Sequence, residues 1–205
     1  CMMKVLHNIS RVLLALTLVL GLASCGGKNQ SDSSQSQAES LSTASEAPSQ
    51  EESRAPDQTL FPDFQGQDFE GQKVDQTLFG QNTITLVNFW FNGCPACVAE
   101  MPTLEKINAK LKDKGGEIIG VNVEVSADAA ALDEAKSILS KQGATYRNIS
   151  IAGGEEVIRF MSQIYAYPTT FFVDKAGRIV GDPIVGSLDD KSIDAVLDLV
   201  DDFIS

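Results

Sequence analysis

Two cysteines separated by two residues, Cys94-Pro95-Ala96-Cys97, are the residues of this sequence whose types and spacing speak most directly of chemistry. That spacing lets both sulfurs meet in a small ring at a helix start, so a disulfide between them can form and open reversibly. The nucleophile in such exchange is the thiolate. The positive end of a helix dipole, with its free backbone N–H groups, stabilises it and lowers the cysteine pKa from about 8.5. Cys94, at the helix entrance, is the expected attacker. Cys97, one turn further in, is expected to stay shielded until a mixed disulfide forms on Cys94, and then to resolve it.

Other uses of a cysteine pair fit less well. A structural zinc site usually takes four ligands, and the domain that carries Cys94 and Cys97 has no other Cys and no His, since His7 falls in the leader described below. Haem attachment asks for His directly after the second Cys, and position 98 is Val98. A peroxide-reducing cysteine asks for an upstream Thr or Ser, whereas position 91 is Phe91. A static disulfide staple is the plainest alternative, although exported domains that depend on staples usually carry more pairs at distant positions.

The elements that must position this pair can be read on either side of it. Thr83–Phe91 (TITLVNFWF) is a continuous β-branched, aromatic and apolar run, the pattern of a central strand covered on both faces, and Asn92-Gly93 breaks it just before Cys94. From Pro95 to Lys114 the apolar positions Val98, Met101, Leu104, Ile107 and Leu111 recur every three or four residues, with Pro102 inside as an expected kink and Gly115-Gly116 as the stop. Glu117–Val125 reads as the next buried strand and Ala129–Gln142 as a second helix, closed by Gly143. This alternation implies an α/β fold with parallel strands and right-handed crossovers. Two short runs around Glu70-Gly71 suggest a hairpin ahead of the main sheet. Arg147–Ile151 reads as a short strand and Glu155–Tyr165 as a short helix. Thr170–Val173 and Arg178–Ile184 read as an antiparallel hairpin turned by Asp174-Lys175-Ala176-Gly177. The last helix carries Ile193, Val196, Leu197 and Val200 as its buried stripe, with Ser187 as the expected cap.

The front of the chain reads differently. Residues 1–24 combine a weakly basic start (Lys4, Arg11) with an apolar stretch of about a dozen residues, short of the ~20 a spanning helix needs, and end in Leu22-Ala23-Ser24-Cys25. This is the pattern of a lipoprotein signal, with Cys25 as the lipidated residue. Residues 26–58 are rich in Ser, Gln and Glu and lack aromatics, the composition of a disordered tether that would hold a domain about 30 Å from a membrane. Residues 59–205 then form one domain. Losing residues 1–24 takes the formal charge from −12 to −14, which argues against nucleic acid as a partner.

Two stretches, NFWFNGCPACVAEMPTLEKIN and YAYPTTFFVDKAGRIV, resemble the thioredoxin-like family and, within it, the membrane-anchored TlpA/ResA-type reductases. The resemblance covers the whole domain. It implies a central mixed sheet flanked by helices, parallel in its first half and antiparallel in its second, and a cis bond between Tyr167 and Pro168. In the family the loop at Tyr167, Pro168 and Thr169 lies beside the cysteine pair and offers backbone groups to an extended substrate. Glu100 matches a glutamate that lies near the two thiols in this subgroup, where a carboxylate can move protons to and from Cys97. Two departures stand out. Asn88 occupies the position of the buried aspartate of ordinary thioredoxins, leaving Glu100 as the proton carrier, and Gly93 replaces the Trp that many relatives carry before the first Cys.

Carried over, the resemblance implies a dithiol enzyme with no bound cofactor, reducing protein disulfides on the extracytoplasmic face of a bacterial membrane. Apocytochrome c cysteines or a methionine sulfoxide reductase are the substrates it suggests, and a membrane protein of the CcdA/DsbD kind the electron donor. Two alternatives stay open: a disulfide-forming oxidase of the same fold, since direction depends on reduction potential, and a non-catalytic lipoprotein that uses the groove to hold peptides.

Overall fold

The computed structural model describes residues 59–125 and 129–205. The leader and tether read at positions 1–58, with Cys25, lie outside them. Among the described residues no helix is long and apolar enough to cross a membrane.

Seven strands form one sheet: β1 (Gln65–Asp68), β2 (Lys73–Asp75), β3 (Ile84–Trp90), β4 (Glu117–Asn122), β5 (Arg147–Ala152), β6 (Thr169–Asp174) and β7 (Ile184–Val185), in the order β2-β1-β5-β4-β3-β6-β7. β3, β4 and β5 run parallel, while β6 is antiparallel to β3 and to β7. The hairpin at Gly71 supplies β1 and β2, and β1 joins the main sheet by pairing antiparallel with β5. Among the described residues four α-helices, α1 (Pro95–Lys112), α2 (Ala129–Gln142), α3 (Glu155–Ser162) and α4 (Ile193–Ile204), complete the α/β architecture.

β3 is buried along its whole length, as its unbroken apolar run predicts. Its period of two divides the core. Ile84 and Leu86 point to the side where Leu104, Ile107 and Leu111 of α1 meet Ile193, Val196 and Val200 of α4. Val87 and Phe89 point to the opposite side, into a cluster with Phe61, Phe64, Phe79 and Val157 of α3. Asn88 and Trp90 therefore share the α1 side with Leu86, and Asn88, like Thr85, is a buried polar residue in a mostly apolar strand. α1 runs through Pro102 without ending there, and stops where Gly115 turns back at φ +74 and the Gly116 N–H donates to Leu111 O.

Two expectations need correction. Arg178–Ile184 is not a continuous strand: only single bridges form at Arg178 and Ile179, and regular pairing resumes at Ile184 and Val185. Gly181 at φ +68 and Pro183, which has no N–H to donate, interrupt the ladder. Nor does Ser187 cap the last helix. The Asp189 carboxylate takes the N–H groups of Lys191 and Ser192 in a reciprocal capping box on the 3-10 turn Asp190–Ser192 that leads into α4, while Ser192, the N-cap of α4 itself, makes no side-chain cap bond. The Ser187 hydroxyl donates instead to Ala96 O at 3.2 Å, tying the loop after β7 to the start of α1.

Candidate active site

Cys94 and Cys97 are joined in a disulfide, with Cα atoms 5.3 Å apart. Cys94 is the N-cap of α1: its backbone is extended, Pro95 takes the first helical position, and its Sγ accepts the Cys97 N–H at 3.1 Å. When the pair is reduced, the same N–H and the helix N-terminus face a thiolate on Cys94, the arrangement that favours its ionised form. Cys94 is 4 % exposed and Cys97 1 %: both are buried, and Cys94 is far less open than its place at a helix entrance suggests. Packing explains this. Both sulfurs lie in a cluster with Phe69, Trp90, Met101, Ala135 and Leu139, with Phe91 and Tyr167 packed against it. Gly93, Pro95 and Ala96 remain exposed around them.

Glu100 lies three residues after Cys97 and so on the same helix face. It is 1 % exposed. Its Oε1 accepts from Asn88 Nδ2 at 2.9 Å, and its Oε2 from the Leu188 N–H at 2.8 Å. Burial pushes its carboxyl up to about 7, against the opposing pull of the Leu188 and Asn88 hydrogen bonds. Asn88 also donates to Thr170 Oγ1 at 3.0 Å on β6. The position where ordinary thioredoxins carry an acid is thus a neutral amide whose donor supports the glutamate, and Glu100 titrates without a second carboxylate beside it on β3.

The neighbouring strands continue this buried polar row. Gly120 is the register partner of Asn88 on β4, and Asn148 is the partner of Gly120 on β5. A Cβ at Gly120 would overlap Asn148 Oδ1. Asn148 accepts from Trp90 Nε1 at 2.9 Å and donates to Tyr146 O at 3.0 Å, fixing the indole that packs on the disulfide. The Tyr146 hydroxyl is buried with no hydrogen-bond partner among the described residues, and burial, then the charges of Glu100 and Glu105, hold its proton in place.

The Tyr167-Pro168 bond is cis. Tyr167 is half-buried, its hydroxyl pushed up by burial, and its ring meets Phe91 edge-on with centroids 5.5 Å apart. Pro168 is buried, and its carbonyl accepts the Gly186 N–H. The Thr169 side chain is buried too and donates to Ala166 O, so within this loop it serves the turn itself. Tyr165, two residues earlier, is 85 % exposed. The sequence reading missed Leu188, whose N–H donates to Glu100, and Thr170, whose hydroxyl oxygen accepts from the Asn88 amide that also holds Glu100. They come from distant segments, and no local pattern announces a backbone N–H as a carboxylate partner. Among the described residues no cluster of three or more His, Cys, Asp and Glu side chains is placed to hold a metal ion.

A parallel-then-antiparallel sheet, a disulfide capping the helix after β3 and a cis-proline just before β6 define a thioredoxin-like protein. The chain belongs to the AhpC/TSA family, whose model matches residues 58–181. It is 34 % identical over 119 residues to thiol-disulfide oxidoreductase ResA of Bacillus thuringiensis subsp. konkukian, covering 58 % of this chain and 64 % of that relative, so the match spans less than two thirds of the relative's length. It is 31 % identical over 137 residues to a ResA protein of Bacillus cereus, covering 66 % and 73 %. Among solved structures it is similar to the thioredoxin domain of a thiol-disulfide oxidoreductase from Bacteroides vulgatus, with TM-score 0.55, 25 % identity and coverage of 72 % and 96 %. A thiol:disulfide interchange protein from Bacteroides sp. is similar at TM-score 0.55 and 26 % identity, with coverage of 70 % and 90 %.

Proposed function

We propose that this protein is a thiol-disulfide oxidoreductase that reduces protein disulfides outside the cytoplasm, held to the membrane by lipid on Cys25. The observation that carries the reading is the pairing of a helix-capping disulfide with a buried carboxyl poised near neutrality one turn beyond it. Cys94 attacks the substrate disulfide as thiolate and forms a mixed disulfide, releasing the first substrate sulfur. Cys97 then gives up its proton to Glu100 and attacks Cys94 Sγ, so the substrate leaves as a dithiol and the ring closes. A carboxyl titrating near 7 can both take and return that proton at working pH, which an ordinary exposed glutamate, ionised throughout, does poorly.

The loop of Tyr167, Pro168 and Thr169 is the proposed rest for the extended substrate chain beside Cys94, and Gly93 leaves room there that a larger side chain would fill. An extracytoplasmic dithiol must be recharged from within the membrane, hence a donor of the CcdA/DsbD kind, with apocytochrome c or a methionine sulfoxide reductase as candidate substrates. The ResA names of the relatives support the reaction class. The test is the Cys97→Ser variant, which cannot resolve its intermediate. It is expected to accumulate mixed disulfides on Cys94 with its natural substrates, identifiable by mass spectrometry. Absence of such adducts in cells producing the variant would remove the enzyme reading.

A further inference from the structure

Asn92, two residues before Cys94, reads in sequence only as a strand breaker, yet every polar group that it presents toward β4 and α2 is engaged. Its backbone N–H donates to Glu124 Oε2 at 2.8 Å. Its Oδ1 accepts from Asn122 Nδ2 at 2.8 Å. Its Nδ2 donates to Ala131 O at 2.9 Å, in the first turn of α2, and to Glu134 Oε2 at 3.3 Å. Asn122 is fixed in turn: it is buried at the end of β4, and its Oδ1 accepts the N–H groups of Glu124 and Val125. One side chain thus joins the segment that carries Cys94 to the end of β4 and to α2, the helix whose Ala135 and Leu139 pack in the same cluster as both cysteines.

We infer that Asn92 is a positioning residue for the dithiol, acting through Cys94. This rests on the oxidoreductase reading above. When the pair is reduced, nothing covalent holds Cys94 over Cys97. A loop pinned at its backbone N–H and on both sides of its side-chain amide keeps the Cys94 sulfur within reach of its partner, so ring closure gives up little conformational freedom. Releasing the pin leaves the covalent chemistry unchanged, lets the reduced loop spread, and makes the disulfide easier to reduce. Among the described residues, the charged and titratable groups facing this segment are Glu124 after β4 and Glu134 on α2, which accept from Asn92, with Glu100 on the helix of Cys94 and Tyr167 on the cis-proline loop. A loss of charge must therefore be separated from a loss of position.

The experiment equilibrates the purified full chain with glutathione buffers, in which the Cys94–Cys97 disulfide and two glutathione thiols exchange with the dithiol and one glutathione disulfide. Asn92→Ala is expected to shift this equilibrium about tenfold toward the dithiol, a potential about 30 mV higher. Glu124→Ala, an exposed change that leaves the core intact, is expected to shift it the same way by about threefold. Glu124→Gln, which keeps an acceptor for the Asn92 N–H without the charge, is expected to stay near the unmodified protein. Asn108→Ala removes the bond from the Ile118 N–H to Asn108 Oδ1, far along α1, and should lower the unfolding midpoint with no shift in the equilibrium. An equilibrium for Asn92→Ala within about twofold of the unmodified protein, a Glu124→Gln shift as large as that of Glu124→Ala, or an Asn108→Ala shift matching that of Asn92→Ala would each overturn the inference. The readout needs no protein substrate, so it can fail while mixed-disulfide trapping succeeds, and the reverse.

Discussion

The two ends of α1 handle carboxylates in opposite ways. Near its start Glu100 is buried against two neutral donors, Asn88 Nδ2 and the Leu188 N–H, and burial pushes its carboxyl up to about 7. Further along the helix Lys106 and Lys110, and Lys114 just past its end, pair with Asp190 in the turn before α4 and with Asp194 and Asp201 on α4, at 2.6, 3.6 and 2.6 Å. There the Lys106 ammonium and the Thr103 hydroxyl hold the Asp190 carboxyl below its usual range. The first arrangement costs stability at neutral pH and yields a group that can exchange a proton there. The second ties α4 and the turn before it to α1 through exposed ion pairs. The same carboxyl chemistry becomes a buried group that protonates near neutrality or an exposed fastener according to its surroundings.

Glu100→Gln breaks the comparison with the largest expected effect. A carboxyl that titrates near 7 when folded and near 4.5 when unfolded keeps its proton longer in the native state. Its contribution is therefore fully present below pH 4.5 and lost as pH rises through 7. The predicted loss across that window is on the order of 3 kcal/mol. Asp174, whose carboxyl burial would raise but whose bonds to Arg178 and Ala176 hold it low, acts with the opposite sign and only below pH ~4, so the two windows separate. Denaturant unfolding of the oxidised Gln variant should show a flat stability between pH 4.5 and 7. It should also show an overall loss of about 1–3 kcal/mol at pH 4.5, because an amide nitrogen leaves either Asn88 Nδ2 or the Leu188 N–H without an acceptor. The same slope persisting in the variant would assign the pH dependence elsewhere.

At the other end of the helix, Lys114→Met should lower stability by less than about 1 kcal/mol, and the difference should vanish at high ionic strength, since the Asp201 partner is in water. A larger or salt-insensitive loss would mean that the ion pairs carry more of the α1–α4 contact than the apolar stripe of Ile193, Val196 and Val200 does.

Much of this was legible in the sequence, because the signals were local. The period of three and four from Val98 to Leu111, the apolar run of β3, and the helix from Ala129 to Gln142 with its closing glycine all match the observed elements. Cys94 and Cys97 were evident from their spacing. The burial of Glu100 was not, because a helix position three residues after a cysteine can face solvent or core. What decides it is the register that sets Asn88 and Thr170 side by side and the loop that brings the Leu188 N–H over the carboxylate. The strand expected at Arg178–Ile184 failed for the converse reason: its apolar residues suited a strand, but the backbone at Gly181 and Pro183 could not keep the ladder. Asn92 went unread because its partners lie at 122, 124, 131 and 134, and no spacing along the chain joins them.

Every step of the proposed exchange depends on Cys94 being the sulfur that reacts first. Alkylation of the reduced full chain, followed by pH and mapped by mass spectrometry, tests this directly. Cys94 should be modified at least about tenfold faster than Cys97, with a midpoint below the ordinary thiol value of about 8.5. Equal rates at the two positions, or a Cys94 left unmodified at mild pH while Cys97 reacts, would contradict it.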